Sequence, residues 1–438
     1  MSIELTTLLL FGCLFFLLFI GVHVSFSLLI TALIFDFAFF GVGHLYVLGS
    51  SLIGALSSQT YIAIPTFIFM GNVLAHTGIA DELFEAMYLW TARLRGGLAL
   101  GTVTAGTILA AMCASSEAGT LTVGIMALPA MMKRGYNTAL AIGSITAGGC
   151  LGFMIPPSVM AIFYSGISGV SLGKVYFASF IPGLLLAGLY LAYIYIRTLI
   201  QPSLCPRVPK EEAPTWSQKI KILKKVFLPL LIIVVVLGGI YSGATTPTEA
   251  AGTGAACAII IALVKGVLTW RNLIEALKST FKLLGMIGWI LMSVMAFSNI
   301  YNTLGAPRIV KEVLTLFPAG GLGVIIMMQL SIFLLGMVMD DLALMLLTIP
   351  IFVPIIKGLG FDPVWFGVLI LINMQSALLT PPYGFNLFYA RAITPDNVST
   401  FVIYRGTYPF VLLQILVMIL VIAFPSLALW LPSVITAK

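Results

Sequence analysis

Apolar stretches of about 20 residues, the length that crosses a hydrocarbon core, recur from one end of the chain to the other. Only 8% of the residues are charged, against about a quarter in a soluble protein, so lipid must be the solvent for most of the surface. The sequence therefore predicts an all-α polytopic membrane protein. The apolar segments lie roughly at 5–40, which could be one tilted span or two short ones, and at 46–75, 98–132, 137–170, 174–199, 222–242, 247–268, 280–303, 321–356, 363–394 and 405–433.

The charges and the cysteines exclude several other classes of protein. The net charge of +7 does not indicate nucleic-acid binding, because the basic residues lie in short loops between apolar runs, where they act as topology signals. The five cysteines show neither a disulfide framework nor the spacing of metal ligands. There is no P-loop pattern and no constellation of His, Asp and Cys, so we expect neither an enzyme nor a bound cofactor.

Glycine, proline and aromatic landmarks recur at a nearly constant offset, which indicates two repeats. Chance matches in an apolar sequence would not keep these residue types in step, so two structurally similar halves are expected. The matched landmarks are Gly135 with Gly360, Pro156-Pro157 with Pro381-Pro382 and Phe163-Tyr164 with Phe388-Tyr389 at an offset of 225, Gly96-Gly97 with Gly320-Gly321 at 224, and Asn72 and Gly78 with Asn299 and Gly305 at 227.

Segments 98–132 and 321–356 each carry a polar interruption in the middle, at Ser115-Ser116-Glu117 and at Asp340-Asp341. Each arm has about 14 apolar residues, too few to span at 1.5 Å per residue but suited to a re-entrant hairpin. Five candidate spans lie between the two hairpins, and this odd number predicts that the second hairpin enters from the opposite face. Most basic residues fall on one side under this arrangement, which should be cytoplasmic.

Each hairpin is followed by a segment with tandem prolines, at Pro156-Pro157 and at Pro381-Pro382. The prolines remove N–H donors, and unwound backbone at membrane depth is tolerated only where it is buried in protein or lines a cavity. There it offers carbonyl oxygens to a sodium ion, while half-helix N-termini offer N–H groups to a carboxylate. We therefore predict a transport site, rather than two simple kinks, where the breaks meet the hairpin tips.

The hairpin tips carry the polar candidates. Ser115 and Ser116 offer hydroxyls, although small residues there could also serve only helix packing. Asp340 and Asp341 are acids within an apolar segment, where ionisable residues are costly and usually functional. At least one of the two acids is therefore predicted to contribute to an ion site.

Other polar features have simpler interpretations. The segment 245–251 favours a helix N-cap by Thr246 or Thr248, although it could also line an opening. His23, His44 and His76 are isolated in the sequence and are interpreted as packing or interfacial residues.

The predicted elements divide the chain into alternating scaffold and transport parts. An amphipathic piece between 75 and 97, with acids early and arginines late, is expected to be a helix along the interface. We predict scaffold helices with this arm helix at 1–97, the first hairpin and broken helix at 98–170, scaffold helices with a cytoplasmic linker (200–221) at 171–303, the second hairpin and broken helix at 304–394, and a C-terminal helix at 395–438.

An ordered set of short motifs resembles the large membrane subunit of TRAP (tripartite ATP-independent periplasmic) transporters, the DctM-like M subunit, over nearly the whole chain. Two positions depart from the family pattern. Cys113-Ala114 replace the first two residues of the usual Ser-Gly-Ser-Ser tip, and Gln375 stands where the family usually has Glu. The motifs are 63–72 (AIPTFIFMGN), Ser115-Ser116, Ala127-Leu128-Pro129, 148–158, 246–250, Asp340, 362–367 and 379–388.

The resemblance implies an elevator-type fold like those of the ion-transporter superfamily, in the bacterial inner membrane. It implies sodium-driven uptake of an organic acid, such as sialic acid or a C4-dicarboxylate. The implied partners are a small four-helix (Q-type) membrane subunit and a periplasmic (P-type) substrate-binding protein. When the family's binding residues are carried over by position, one sodium ion would lie among Ser115, Ser116, Gly149, Gly152 and Pro156. The other would lie among Asp340, Thr380 and Pro381, with the substrate between the two ions.

Two functions therefore remain open at the level of sequence. The first is the sodium-coupled permease subunit of a three-part system. The second is a stand-alone ion-coupled carboxylate or anion transporter of similar inverted architecture, which would need neither partner.

Overall fold

The computed structural model describes residues 2–57, 59–113, 116–206, 214–315, 320–337, 339–381 and 384–436. Over these residues the chain forms helices joined by short loops, and none of them lies in a β-strand, which confirms the predicted all-α fold. The helices are α1 (Ile3–Phe19), α2 (Val24–Phe40), α3 (His44–Leu56), α4 (Gln59–His76), α5 (Ile79–Thr91), α6 (Gly97–Cys113), α7 (Ser116–Lys133), α8 (Thr138–Cys150), α9 (Val159–Ser168), α10 (Leu172–Ile200), α11 (Trp216–Tyr241), α12 (Pro247–Val264), α13 (Trp270–Thr303), α14 (Ala306–Thr315), α15 (Gly320–Gly336), α16 (Asp341–Gly358), α17 (Pro363–Leu378), α18 (Phe385–Ile393), α19 (Thr400–Ala423) and α20 (Ser426–Thr436).

The first apolar segment forms two helices rather than one. The chain turns at Gly21, which has φ +85°, and His23 caps α2 by accepting a hydrogen bond from the Ser25 N–H at 3.4 Å. Glycine adopts this left-handed conformation without the steric cost that other residues meet. Each of the two helices has 17 residues.

The matched landmarks of the two halves have the same local structure. The glycines of the matched landmarks adopt the same left-handed backbone, with φ +71° at Gly78 and +74° at Gly305, and φ +71° at Gly135 and +80° at Gly360. The helices after the hairpin tips, α7 and α16, both have 18 residues. The helices that follow them, α8 and α17, are capped by the side chains of Asn137 and Asp362.

The hairpin arms are longer than predicted. The arms α6 and α15 have 17 residues and α7 and α16 have 18, so each is about 26 Å long at 1.5 Å per residue. The prediction of about 14 residues was wrong because α7 and α16 begin within the polar tips, at Ser116 and Asp341, while α6 and α15 begin at the glycine pairs, at Gly97 and Gly320. Within each hairpin the two arms pack against each other.

Five helices of the described residues are long and apolar enough to cross a membrane, or six if the bent pair α4 and α5 forms one span. The axis of α5 is bent by 71° from that of α4, and the position of α5 along the interface stays a prediction. Glu82 of α5 pairs with Lys265 at the end of α12, which ties the arm to the scaffold. The five helices are α10, α12, α13, α16 and α19.

The loop before α12 is a helix cap, as the sequence favoured. The Thr246 hydroxyl accepts a hydrogen bond from the Glu249 N–H at 3.3 Å, and the Glu249 carboxylate accepts one from the Thr246 N–H at 2.8 Å. This reciprocal pair is a capping box, which satisfies two backbone donors that the helix cannot.

The helices pack in three groups, one around the two breaks and two in the scaffold. Helices α6 to α10 and α15 to α19 surround the two breaks, while α4, α5, α11 and α12 form one scaffold group and α1, α2, α3 and α13 another. Helix α10, which the predicted boundaries assign to the scaffold, packs against α6, α9, α17 and α19. Close approach within the first group depends on glycine, since a Cβ on Gly143 would lie 2.1 Å from the Gly406 carbonyl oxygen.

Candidate functional site

The first break leaves a backbone carbonyl without its helical donor. Between α8 and α9 the chain makes a single 3-10 turn, and residues 149 to 158 are all buried. Pro156 cannot supply the N–H that the Gly152 carbonyl would accept in a continuous helix. The next carbonyl, that of Phe153, accepts a hydrogen bond from the Ser158 hydroxyl at 2.9 Å. The Gly152 oxygen is thus suited to bind a cation.

The first hairpin tip lies against this break. Ser116 is buried, and its hydroxyl lies 3.6 Å from the Cys150 sulfur. A Cβ on Gly149 would lie 2.1 Å from the Thr120 hydroxyl oxygen, so only glycine permits this approach of α8 to α7. The structure therefore places the first tip against the start of the break, with Ser116 beside Cys150 and Thr120 beside Gly149. Ser115, the remaining member of this predicted sodium site, lies outside the described residues.

The second hairpin tip places two acids at the start of α16. The Asp340 carboxylate caps the helix by accepting a hydrogen bond from the Ala343 N–H at 3.3 Å. Asp341 is buried, and its carboxylate accepts a hydrogen bond from the Leu342 N–H at 2.8 Å. A carboxylate at a helix N-terminus is stabilised by the helix dipole, so this position suits a negative charge inside the protein.

The predicted residues of the second break face elsewhere. Thr380 donates a hydrogen bond to the Ser376 carbonyl at 2.6 Å, and Thr380 and Pro381 line a cavity of about 510 Å³ whose wall does not include Asp340. Gln375 is fully buried, and its amide donates to the Leu371 carbonyl of its own helix at 3.5 Å. The structure thus does not gather Asp340, Thr380 and Pro381 around one cavity, and this sodium site stays a prediction.

A central cavity of about 370 Å³ lies where the transport elements meet the scaffold. Its volume is within the range of pockets that hold small organic ligands. Both hairpins, both broken helices and two scaffold helices contribute to its wall. The contributing residues include Asp340 and Asp341 of the second tip, Leu121 of α7, Phe163 of α9, Tyr389 of α18, Asn72 of α4 and Met286 of α13.

The two broken helices also touch each other directly. The Asn386 amide of α18 lies 2.9 Å from the Cys150 sulfur and 3.4 Å from the Thr146 carbonyl oxygen of α8. Asn386 and Cys150 are both buried. Asn386 was not among the predicted site residues, although it stands four residues after Pro382 on a short helix.

One buried acid was missed entirely. Asp36 of α2 is fully buried and its carboxylate pairs with the His44 ring of α3. His44 is therefore not isolated in the fold. A single acid within the apolar segment 5–40 was the available signal, because a charge at that depth needs a partner. The pair lies between α2 and α3 and does not line the central cavity.

Comparison with known proteins identifies the same family as the motifs. A family model described as the tripartite ATP-independent periplasmic transporter, DctM component, matches residues 11–427. The C4-dicarboxylate TRAP transporter large permease protein DctM of Pseudomonas aeruginosa is 32% identical over 85% of this chain and 86% of its own. The ectoine/5-hydroxyectoine TRAP transporter large permease protein UehC of Ruegeria pomeroyi is 30% identical over 88% of this chain and 89% of its own. The sialic acid TRAP transporter large permease protein SiaM of Vibrio cholerae is 30% identical over 95% of this chain and 96% of its own.

Solved transporters share the fold at low sequence identity. The YdaH transporter of Alcanivorax borkumensis superposes with a TM-score of 0.63 at 15% identity, over 87% of this chain and 88% of its own. MtrF of Neisseria gonorrhoeae, from a class of antimetabolite efflux pumps, superposes with a TM-score of 0.62 at 13% identity, over 88% of this chain and 85% of its own. These similarities concern the fold alone.

Proposed function

The chain belongs to the family of DctM components of tripartite ATP-independent periplasmic transporters, and on that premise we propose that it couples the uptake of an organic acid to the entry of sodium ions. Its relatives are named as transporter permease subunits and not as enzymes. The observation that carries the proposal is the central cavity, which both hairpins and both broken helices share with the scaffold.

The charges around this cavity give a reason for the coupling. Among the described residues, those that line it include two acids and neither arginine nor lysine. Two unit charges about 4 Å apart interact by about 4 kcal/mol at an effective dielectric constant of about 20. An organic anion entering alone would therefore be repelled by Asp340 and Asp341. Sodium ions beside these acids would replace repulsion by attraction, so tight binding of the anion would require sodium.

The broken backbone supplies complementary groups for both cargoes. Carbonyl oxygens such as that of Gly152 suit a sodium ion stripped of water, since no N–H competes for them. Helix α9 begins at Val159, which lines the cavity, so the positive end of its dipole points towards it. A substrate carboxylate would bind at this end through backbone N–H groups, without a basic side chain.

The names of the relatives support a carboxylate as the substrate. Their names specify C4-dicarboxylates, sialic acid and ectoine, all of which carry a carboxylate group. The central cavity of about 370 Å³ would accommodate a small organic acid. We therefore propose a substrate of the sialic acid or C4-dicarboxylate type.

The proposed assembly contains three proteins in the bacterial inner membrane and periplasm. Membership of the family supports a small four-helix membrane subunit and a periplasmic substrate-binding protein as partners. The group of helices around the breaks would move as a unit against the scaffold, because the central cavity lies between them. Such an elevator-type movement would expose the cavity to each side in turn.

Uptake by proteoliposomes tests the proposal. Vesicles that contain this chain and the small subunit, supplied with loaded binding protein, should accumulate the acid only under an inward sodium gradient. Uptake that is undiminished when choline replaces sodium would refute the coupling.

The same assay distinguishes the alternative function. A stand-alone anion transporter would accumulate its substrate without the small subunit and the binding protein. The proposed three-part system would lose uptake when either is omitted, while the folded chain remains in the vesicles.

A further inference from the structure

A second polar cavity, of about 570 Å³, lies at the membrane face that the basic residues mark as cytoplasmic. It is enclosed by the start of α8, the end of α10 and the start of α19, so it is separate from the central cavity. Two arginines line it, Arg197 of α10 and Arg405 of α19. Nothing in the proposed transport cycle uses them.

Neither arginine forms an ion pair with an acid in the part of the chain that the structure describes. The nearby Arg391 differs, since its guanidinium lies 3.7 Å from the Asp396 carboxylate and donates a hydrogen bond to the Val398 carbonyl. The positive-inside rule explains why arginines lie on this face, but it does not require two of them to share one cavity. Their convergence indicates an anionic ligand, because guanidinium groups bind phosphate and carboxylate oxygens with paired N–H donors.

The wall of this cavity is fixed by contacts within the protein. The Asn137 N–H donates a hydrogen bond to the Leu204 carbonyl at 2.8 Å, which joins the start of α8 to the loop after α10. On the other side, the Tyr193 ring packs edge-on against Phe410 with centroids 5.3 Å apart. The arginines therefore project from a rigid frame rather than from a loop.

The mouth of the cavity opens at the exposed face of α19. Tyr408 lines the cavity and is also 63% exposed. One helical turn further along α19 lies Leu412, followed by Leu416 and Ile419, and all three are exposed. These residues form an apolar stripe that leads from the two arginines into the depth of the membrane.

We propose that this cavity binds the headgroup of an anionic phospholipid of the cytoplasmic leaflet. The lipid phosphate lies between Arg197 and Arg405, and an acyl chain follows the stripe of Tyr408, Leu412 and Leu416. Basic pockets between membrane helices on the cytoplasmic side bind anionic headgroups in this manner. The apolar stripe favours a lipid over a free anion, which would leave it uncovered.

Native mass spectrometry of the full-length, delipidated chain in detergent tests the proposal by titration with dioleoylphosphatidylglycerol. Each basic residue contributes roughly 1 kcal/mol near an anionic headgroup, and about 1.4 kcal/mol corresponds to a tenfold change in affinity. The variant R197A/R405A should therefore bind this lipid about thirty-fold more weakly than the wild type. The variant R197K/R405K, which keeps both charges but loses the paired N–H donors, should recover only part of the affinity.

The matched control is K221A/R271A, which removes two exposed basic residues from the same predicted face but away from the cavity. This control should bind phosphatidylglycerol like the wild type. Equal binding by wild type and R197A/R405A would overturn the proposal, and so would equal affinity for phosphatidylcholine. Displacement of the lipid by millimolar inorganic phosphate would assign the cavity to a free anion instead. If R197A/R405A does not fold, the single variants R197Q and R405Q provide the same comparison.

Discussion

Replacing Asp340 by asparagine separates two roles that this side chain could have. Asp340 caps α16 through the Ala343 N–H and lines the central cavity. Asparagine caps a helix about as well as aspartate, whereas alanine loses about 0.5–2 kcal/mol of cap stabilisation. D340N therefore removes the charge and keeps the cap, and D340A removes both.

The size of the effect follows from Coulomb's law. A sodium ion about 4 Å from the carboxylate gains about 4 kcal/mol at an effective dielectric constant of about 20, which sets an upper limit of about a thousandfold in sodium affinity. Water and neighbouring carbonyl groups offset part of this loss. We expect the sodium concentration for half-maximal uptake to rise at least tenfold in D340N.

The assay measures initial uptake against sodium concentration in proteoliposomes, together with the melting temperature in detergent. Asp362 provides a matched control, since it also caps a helix, through the Val364 N–H at 2.7 Å, but is exposed and does not line the central cavity. D362N should leave the sodium dependence unchanged. A wild-type sodium dependence in D340N, or an equal shift in D340N and D362N, would show that the Asp340 charge does not bind sodium.

Two further predictions concern packing and topology. In G149A the new Cβ would lie 2.1 Å from the Thr120 hydroxyl and 2.9 Å from its backbone nitrogen, so uptake and melting temperature should fall. Adding T120A should restore only part of the loss, because the contact with the backbone nitrogen remains. Wild-type uptake and melting temperature in G149A would show that the tip and the break do not touch. In a background without the five native cysteines, single cysteines at Lys133 and Lys357 should react with impermeant reagents from opposite membrane faces, and labelling of both from one face contradicts the inversion.

The repeats and the breaks could be predicted because they depend on the backbone. Left-handed turns at Gly78 and Gly305 require glycine, and the breaks require tandem prolines, so both are visible in the sequence. The helix cap at Thr246 could also be predicted from the sequence, because a capping box places its two residues at a fixed spacing. In each case the signal is local.

Contacts between distant residues could not be predicted in this way. Cys150 and Asn386 are 236 residues apart, and only the fold brings the two broken helices together. The Asp36 and His44 pair depends on the turn between α2 and α3, which the apolar pattern does not reveal. The lengths of α7 and α16 were underestimated because these helices begin within the polar tips, where hydropathy is low but the backbone is already helical.

The most direct test of sodium coupling is to follow the ion itself. Radiolabelled sodium uptake is measured in proteoliposomes that contain this chain and the small subunit, with loaded or empty binding protein outside. The proposed mechanism predicts that sodium enters with the organic acid and only when the binding protein is loaded. Accumulation of the acid without sodium entry, or sodium entry at the same rate without substrate, would contradict it.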